Sequence, residues 1–144
     1  MFKDRKRRVL LAAFGGAFIM AGFGAGSAAA AVFRAEMSDE MLTAGDPDGW
    51  GRARIRVDDM LNTLCTDLEV RSIGRVTSAQ IHRKDGSPVV RLDRPDDEDS
   101  DDCDTIGDAL ADDIQANPAD FYVEVSTDEF PNGAIRGPLA PAGD

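Results

Sequence analysis

From Val32 onward the chain alternates between apolar and polar residues in short runs, broken by turn residues roughly every ten positions, as strands of an all-β sandwich or barrel do. The strictest run is RARIRVD. Successive strand side chains point to opposite sides, so Ala53, Ile55 and Val57 share an inward face while Arg52, Arg54 and Arg56 face water. In NTLCTDLEV the same parity groups Leu64, Thr66, Leu68 and Val70 and turns Cys65, Asp67 and Glu69 away from the core. VTSAQIH sets Ala79 and Ile81 inward, with Gln80 and His82 outward. FYVEVST sets Phe121, Val123 and Val125 against Tyr122, Glu124 and Ser126. VFRAEM reads as a first strand, PVVRL as a strand with Pro88 at its start or edge, and the residues after FPNG as a last short strand.

Two stretches break the alternation. In TIGDALADDIQANP, Ile106, Leu110 and Ile114 recur four apart on one helix face, and Asn117 and Pro118 end the pattern, which predicts one short helix. DRPDDEDSDDCD holds seven acids between Asp96 and Asp104 and almost nothing apolar. It predicts a solvated acidic loop over residues 94–104, tied down at Cys103. GDPDGWG, RKDGS and FPNG supply turn chemistry. The expectation is an antiparallel β-sandwich or Greek-key barrel-like domain with one short helix.

Residues 1–31 do not belong to that pattern. A basic start (Lys3, Arg5, Lys6, Arg7, Arg8) runs into VLLAAFGGAFIMAGFGAG and then the small residues Ser27 to Ala31, which reads as a signal peptide cut after Ala30 or Ala31. An uncleaved anchor is the weaker reading, because the apolar run carries five glycines and is barely long enough to span a bilayer. RRVLL fits a twin-arginine signal loosely, so the export route stays open. What remains is a single domain, residues 32–144, in a secreted or extracytoplasmic (cell envelope) location.

Export changes the meaning of the charge and of the cysteines. Residues 32–144 hold 11 basic and 26 acidic side chains, a formal net charge of −15. Such a surface repels phosphate backbones and anionic lipid, which excludes nucleic acid and the membrane surface as partners and leaves cations or basic protein surfaces. Cys65 and Cys103 are the chain's two cysteines, and in an oxidising compartment they are expected to form a disulfide.

The candidate chemistry is sparse. Strand parity puts Gln80 and His82 on one outward face and Tyr122, Glu124 and Ser126 on another, a candidate binding patch if the two strands are neighbours. Arg136, in the apolar GAIRGPL, needs a carboxylate such as Glu124 or Asp128. His82 is the one histidine of the chain, and with Glu124 and Asp85 it falls short of a normal transition-metal ligand set. Asp97, Asp99 and Asp101 alternate as calcium ligands do, but Asp102 stands where an EF-hand needs glycine and Asp108 where it needs glutamate; the spacing allows weak calcium binding at most. No nucleophile with its base and no phosphate-binding glycine loop is recognisable, so neither catalytic residues nor a cofactor are assigned.

GDPDGWGRARIRVD, LCTDLEV, SAQIHRKDGSPVV, IQANPADFYVEVST and FPNGAIRGPL together resemble the CHRD domain, the repeat first described in chordin and common in exported bacterial proteins, over roughly residues 33–139. FYVEVSTDEFPNGAIRGPL is similar to the family's Tyr-Val-Asn-Val-His-Thr followed by Phe-Pro-x-Gly-x-Ile-Arg-Gly-x-Leu. The resemblance implies a β-sandwich-like module. Chordin's repeats lie in a protein that binds bone morphogenetic proteins, which points to a non-enzymatic module of protein interaction or adhesion, its partner a protein or cell-surface component. Where the family often shows His-x-His this chain has Gln80 and His82, and where it shows Asn-Val-His-Thr this chain has Glu124 to Thr127. The alternative is a metal-binding protein or a metal-dependent, superoxide dismutase-like enzyme, whose sandwich carries histidine pairs on strands. Oligomeric state is not indicated.

Overall fold

The computed structural model describes residues 30–143. The expected signal peptide lies outside the described residues except for Ala30 and Ala31, and Ala31 already opens the first strand. The alternating runs become β1 (Ala31–Met37), β2 (Trp50–Asp58), β3 (Thr63–Arg71), β4 (Val76–Arg83) and β5 (Pro88–Arg91). There follow β6 (Asp99–Thr105), α1 (Asp108–Ala116), β7 (Phe121–Thr127), β8 (Ile135–Pro138) and β9 (Ala140–Pro141).

Two antiparallel sheets form, one of five strands in the order β6-β3-β2-β1-β9 and one of four in the order β5-β4-β7-β8. They stack as a β-sandwich because each presents one apolar face. Ala53, Ile55, Val57, Leu64, Leu68 and Val70 from the first meet Ala79, Ile81, Val90, Val123, Val125 and Ile135 from the second. Burying each of the larger side chains is worth about 1.5–3 kcal/mol. Gln115 at the end of α1 donates to the Val57 carbonyl at 3.3 Å. Arg83 of β4 is paired with Asp113, so the helix closes one end of the sandwich with Ala111 and Ile114 buried.

The sheets also exchange backbone hydrogen bonds along one edge. Ser38, just beyond β1, exchanges both backbone hydrogen bonds with Arg136 of β8 (3.1 and 2.8 Å). The chain then leaves β8 through buried Leu139 and joins the first sheet as β9 beside β1. Gly137 makes this possible: any Cβ there would run into the Glu36 carbonyl.

One expectation needs correcting. The acidic stretch 94–104 is a solvated loop only as far as Glu98, where φ is +75°. Asp99 to Thr105 is an edge strand, exposed or half-exposed throughout, in register with β3 from Glu69↔Asp99 to Thr63↔Thr105. Its backbone gains ladder partners on one side, and its charged side chains stay in water because the strand overhangs the core. Cys65 and Cys103 are direct cross-strand partners and form the disulfide.

Candidate functional site

The outer face of the four-stranded sheet gathers the candidate residues because β4 and β7 are neighbours. Gln80 lies opposite Glu124, His82 opposite Tyr122, and Ser78 opposite Ser126. β8 adds Arg136 beside Glu124 and Pro138 beside Tyr122. The six residues Gln80, His82, Tyr122, Glu124, Ser126 and Arg136 therefore share one face. Tyr122 and Ser126 are buried there, at 7% and 5% exposure, although that face is not the core.

Tyr122 is covered by its neighbours. The Arg136 guanidinium lies 4.4 Å from its ring centroid, and the His82 ring stacks at 5.1 Å and 26°. Glu124 Oε2 accepts from Arg136 Nε at 2.7 Å and also from Nη2. Of the two carboxylates expected to serve Arg136, Glu124 does so; Asp128 instead faces Arg75 at 3.7 Å. Burial pushes the Tyr122 phenol above its ordinary value of 10.0, Arg136 opposes this, and Glu124 and Asp85 add to it. The phenol is thus a protonated group at neutral pH.

His82 is held at both nitrogens. Nδ1 lies 3.1 Å from the Gly86 carbonyl, which can only accept, so Nδ1 carries a proton. The Tyr122 hydroxyl is 3.4 Å from the same nitrogen. Nε2 faces the Gln80 amide at 3.0 Å; the amide serves an imidazolium through its oxygen and a neutral ring through its NH2. The turn that places Gly86 (φ +92°) is set by Asp85, which accepts from Ser87 N and Oγ at 2.8 and 2.6 Å. Those bonds, side chain first, lower the Asp85 pKa. Asp85 thus points into its own turn, not toward His82 and Glu124.

Among the described residues no three His, Cys, Asp or Glu side chains converge to hold a metal ion. Asp97, Asp99 and Asp101 do not form a loop: Asp99 and Asp101 sit on β6 beside Glu69 and Asp67, and Asp99 faces Arg71 at 3.4 Å. Among the described residues no helix is long and apolar enough to cross a membrane.

The charged face of the other sheet is not evident from strand parity. Parity turns Arg52, Arg54 and Arg56 to solvent, but the residues opposite them follow from register: Arg52 faces Glu69, Arg54 faces Asp67, and Arg56 faces Cys65. The signal for it lies in two alternating strands of opposite charge.

No curated protein and no solved structure matches the chain. The family model of the CHRD domain matches residues 33–139, from within β1 to the residue before β9, and so takes in α1 and every strand of both sheets but β9. The chain belongs to the CHRD domain family.

Proposed function

We propose that this chain is an exported, non-enzymatic recognition module that acts in adhesion or protein interaction at the cell surface. The observation that carries the reading is the closed contact set on the four-stranded sheet. Arg136 pairs with Glu124, Gln80 and the Gly86 carbonyl hold His82, and the His82 ring and the Arg136 guanidinium pack against the Tyr122 ring, so the polar face is held in place. A pre-ordered face suits contact with a macromolecule, because little side-chain entropy remains to be lost on docking. Membership of the CHRD domain family and a disulfide that closes in oxidising surroundings support the same reading.

The metal-dependent alternative would require His82 to give up Gly86 or Gln80 and Glu124 to give up Arg136. The test is binding of labelled protein to the envelope fraction of the producing cells. Saturable binding, displaced by unlabelled protein and weakened by Gln80→Arg, is expected. Uptake that grows linearly and resists competition would overturn the proposal.

A further inference from the structure

The outer face of the five-stranded sheet is divided by charge. β1 and β2 present Arg34, Arg52, Arg54 and Arg56 with one acid, Glu36; β3 and β6 present Asp67, Glu69, Asp99 and Asp101 with one arginine, Arg71. Register arranges them in rows across the strands, Glu36–Arg52–Glu69–Asp99 and Arg34–Arg54–Asp67–Asp101. In the first row Arg52 and Glu69 already pair. In the second, none of the four takes part in an ion pair within 4 Å among the described residues, although Arg34 donates to the Gly143 carbonyl at 3.2 Å. A depression of about 710 Å³ lies between the arginines and the acids. Trp50, the chain's one tryptophan, sits at the end of the same face, 44% exposed and opposite Arg71.

We propose that this face recognises a second copy of the same chain. A polyanion would meet the acidic half and a basic protein the arginine half, whereas a copy presents both signs in the complementary order along the Arg34–Arg54–Asp67–Asp101 row, at the cost of Glu36 facing Asp99 of the copy in the next row. A two-fold axis parallel to the sheet and just above its outer face, running along the strands over the gap between β2 and β3, makes the contact isologous. It lays β2 over β3 of the copy and keeps each row at its own level. Arg54 then meets Asp67 of the copy and Arg34 meets Asp101 of the copy, which fills the row left unpaired within one chain. Trp50 meets Arg71 of the copy and covers its exposed ring with a guanidinium. Four strands over seven residues offer about 450 Å² per copy from ordinary strand spacings, which places the dimer at the weak end of specific interfaces.

This inference does not rest on the partner proposed above; a chain that stays monomeric and still binds envelope would leave that reading intact. The test is a charge exchange across the axis, with the disulfide-bonded chain at fixed, near-physiological ionic strength. Arg54 and Asp67 are exposed and unpaired, so Arg54→Glu and Asp67→Arg spare the core. Sedimentation velocity should show the wild-type mass rising toward a dimer by millimolar concentration, together with a blue shift of Trp50 fluorescence. Each variant alone should weaken the dimer at least about tenfold, since like charges then meet twice. An equimolar mixture of the two should restore association to within a few-fold of wild type. In the mixed dimer the carboxylate of the Arg54→Glu chain faces the guanidinium of the Asp67→Arg chain in one half, and Arg54 faces Asp67 in the other. A wild-type chain that remains monomeric at millimolar concentration, or a mixture that fails to recover, would overturn the proposal.

Discussion

At the scale of single residues, the polar face of the four-stranded sheet is held by one ion pair with aromatic cover. Arg136 and Glu124 retain only 24% and 11% side-chain exposure, so water screens them weakly and the loss of one partner strands the other. Glu124→Gln or Arg136→Met should each cost about 1–2 kcal/mol in urea denaturation, and the double variant should cost about 1 kcal/mol less than the two together. Additive losses would show that the pair is not coupled. Part of this cluster was legible in advance. Parity alone sends Gln80, His82, Tyr122, Glu124 and Ser126 outward, and an arginine on an apolar strand calls for a carboxylate. What parity omits is depth: Tyr122 is buried on an outward face because two neighbouring side chains lie across it, and that depends on which strand sits next to which.

At the scale of elements, β6 departs furthest from its sequence. A half-buried strand announces itself by apolar residues at alternate positions, but β6 places Ser100, Asp102 and Asp104 opposite Leu68, Thr66 and Leu64 and so carries no such signal. Its place is fixed instead by the ladder to β3 and by Cys103, and the cysteine pair was the one part legible beforehand. Replacing both cysteines by alanine removes a cross-link that closes 38 residues, a loss of about 4 kcal/mol on the chain-entropy account. Hydrogen exchange should show the β6 amides opening first; a change below about 1 kcal/mol would mean that the ladder alone holds the strand. Inward-pointing acids on an edge strand also discourage pairing with other chains, at a cost that depends on pH. Desolvation, then the nearby Asp102 and Asp93, raises the Asp104 pKa above 3.8. A raised folded-state value means that the protonated form favours folding. That contribution is complete below the unfolded value and is lost as pH rises through the folded one. Asp104→Asn should therefore raise the denaturation midpoint at pH 7, with the gain shrinking as pH falls through the raised folded-state value and gone below 3.8. A gain of equal size at both pH values would point away from the charge.

At the scale of the whole molecule, the sandwich and its helix follow from periodicity, whereas the faces it turns outward require register. The arginines of β2 are visible in RARIRVD, but only the β2–β3–β6 ladder shows them beside a stripe of acids. That stripe belongs to a larger imbalance, a formal charge of −15 over residues 32–144, which makes the compact state repel itself. Ion pairs such as Arg52–Glu69 and Arg71–Glu69 work in the opposite direction. Salt weakens both, and the magnitudes decide the sign: exposed pairs are worth about 0–1 kcal/mol each, while the excess acids act on one another across the whole domain when the screening length is about 30 Å, at 0.01 M salt. Repulsion is the larger effect, so sodium chloride should stabilise the fold. Raising it from about 0.01 to 0.5 M should lift the thermal midpoint by several degrees, about 4 °C for each 1 kcal/mol gained. A midpoint that falls with salt would mean that the ion pairs dominate. Calcium chloride at matched ionic strength separates screening from binding. An equal midpoint would confine cations to the diffuse atmosphere, and a further rise that Asp99→Asn and Asp101→Asn abolish would locate a cation on β6.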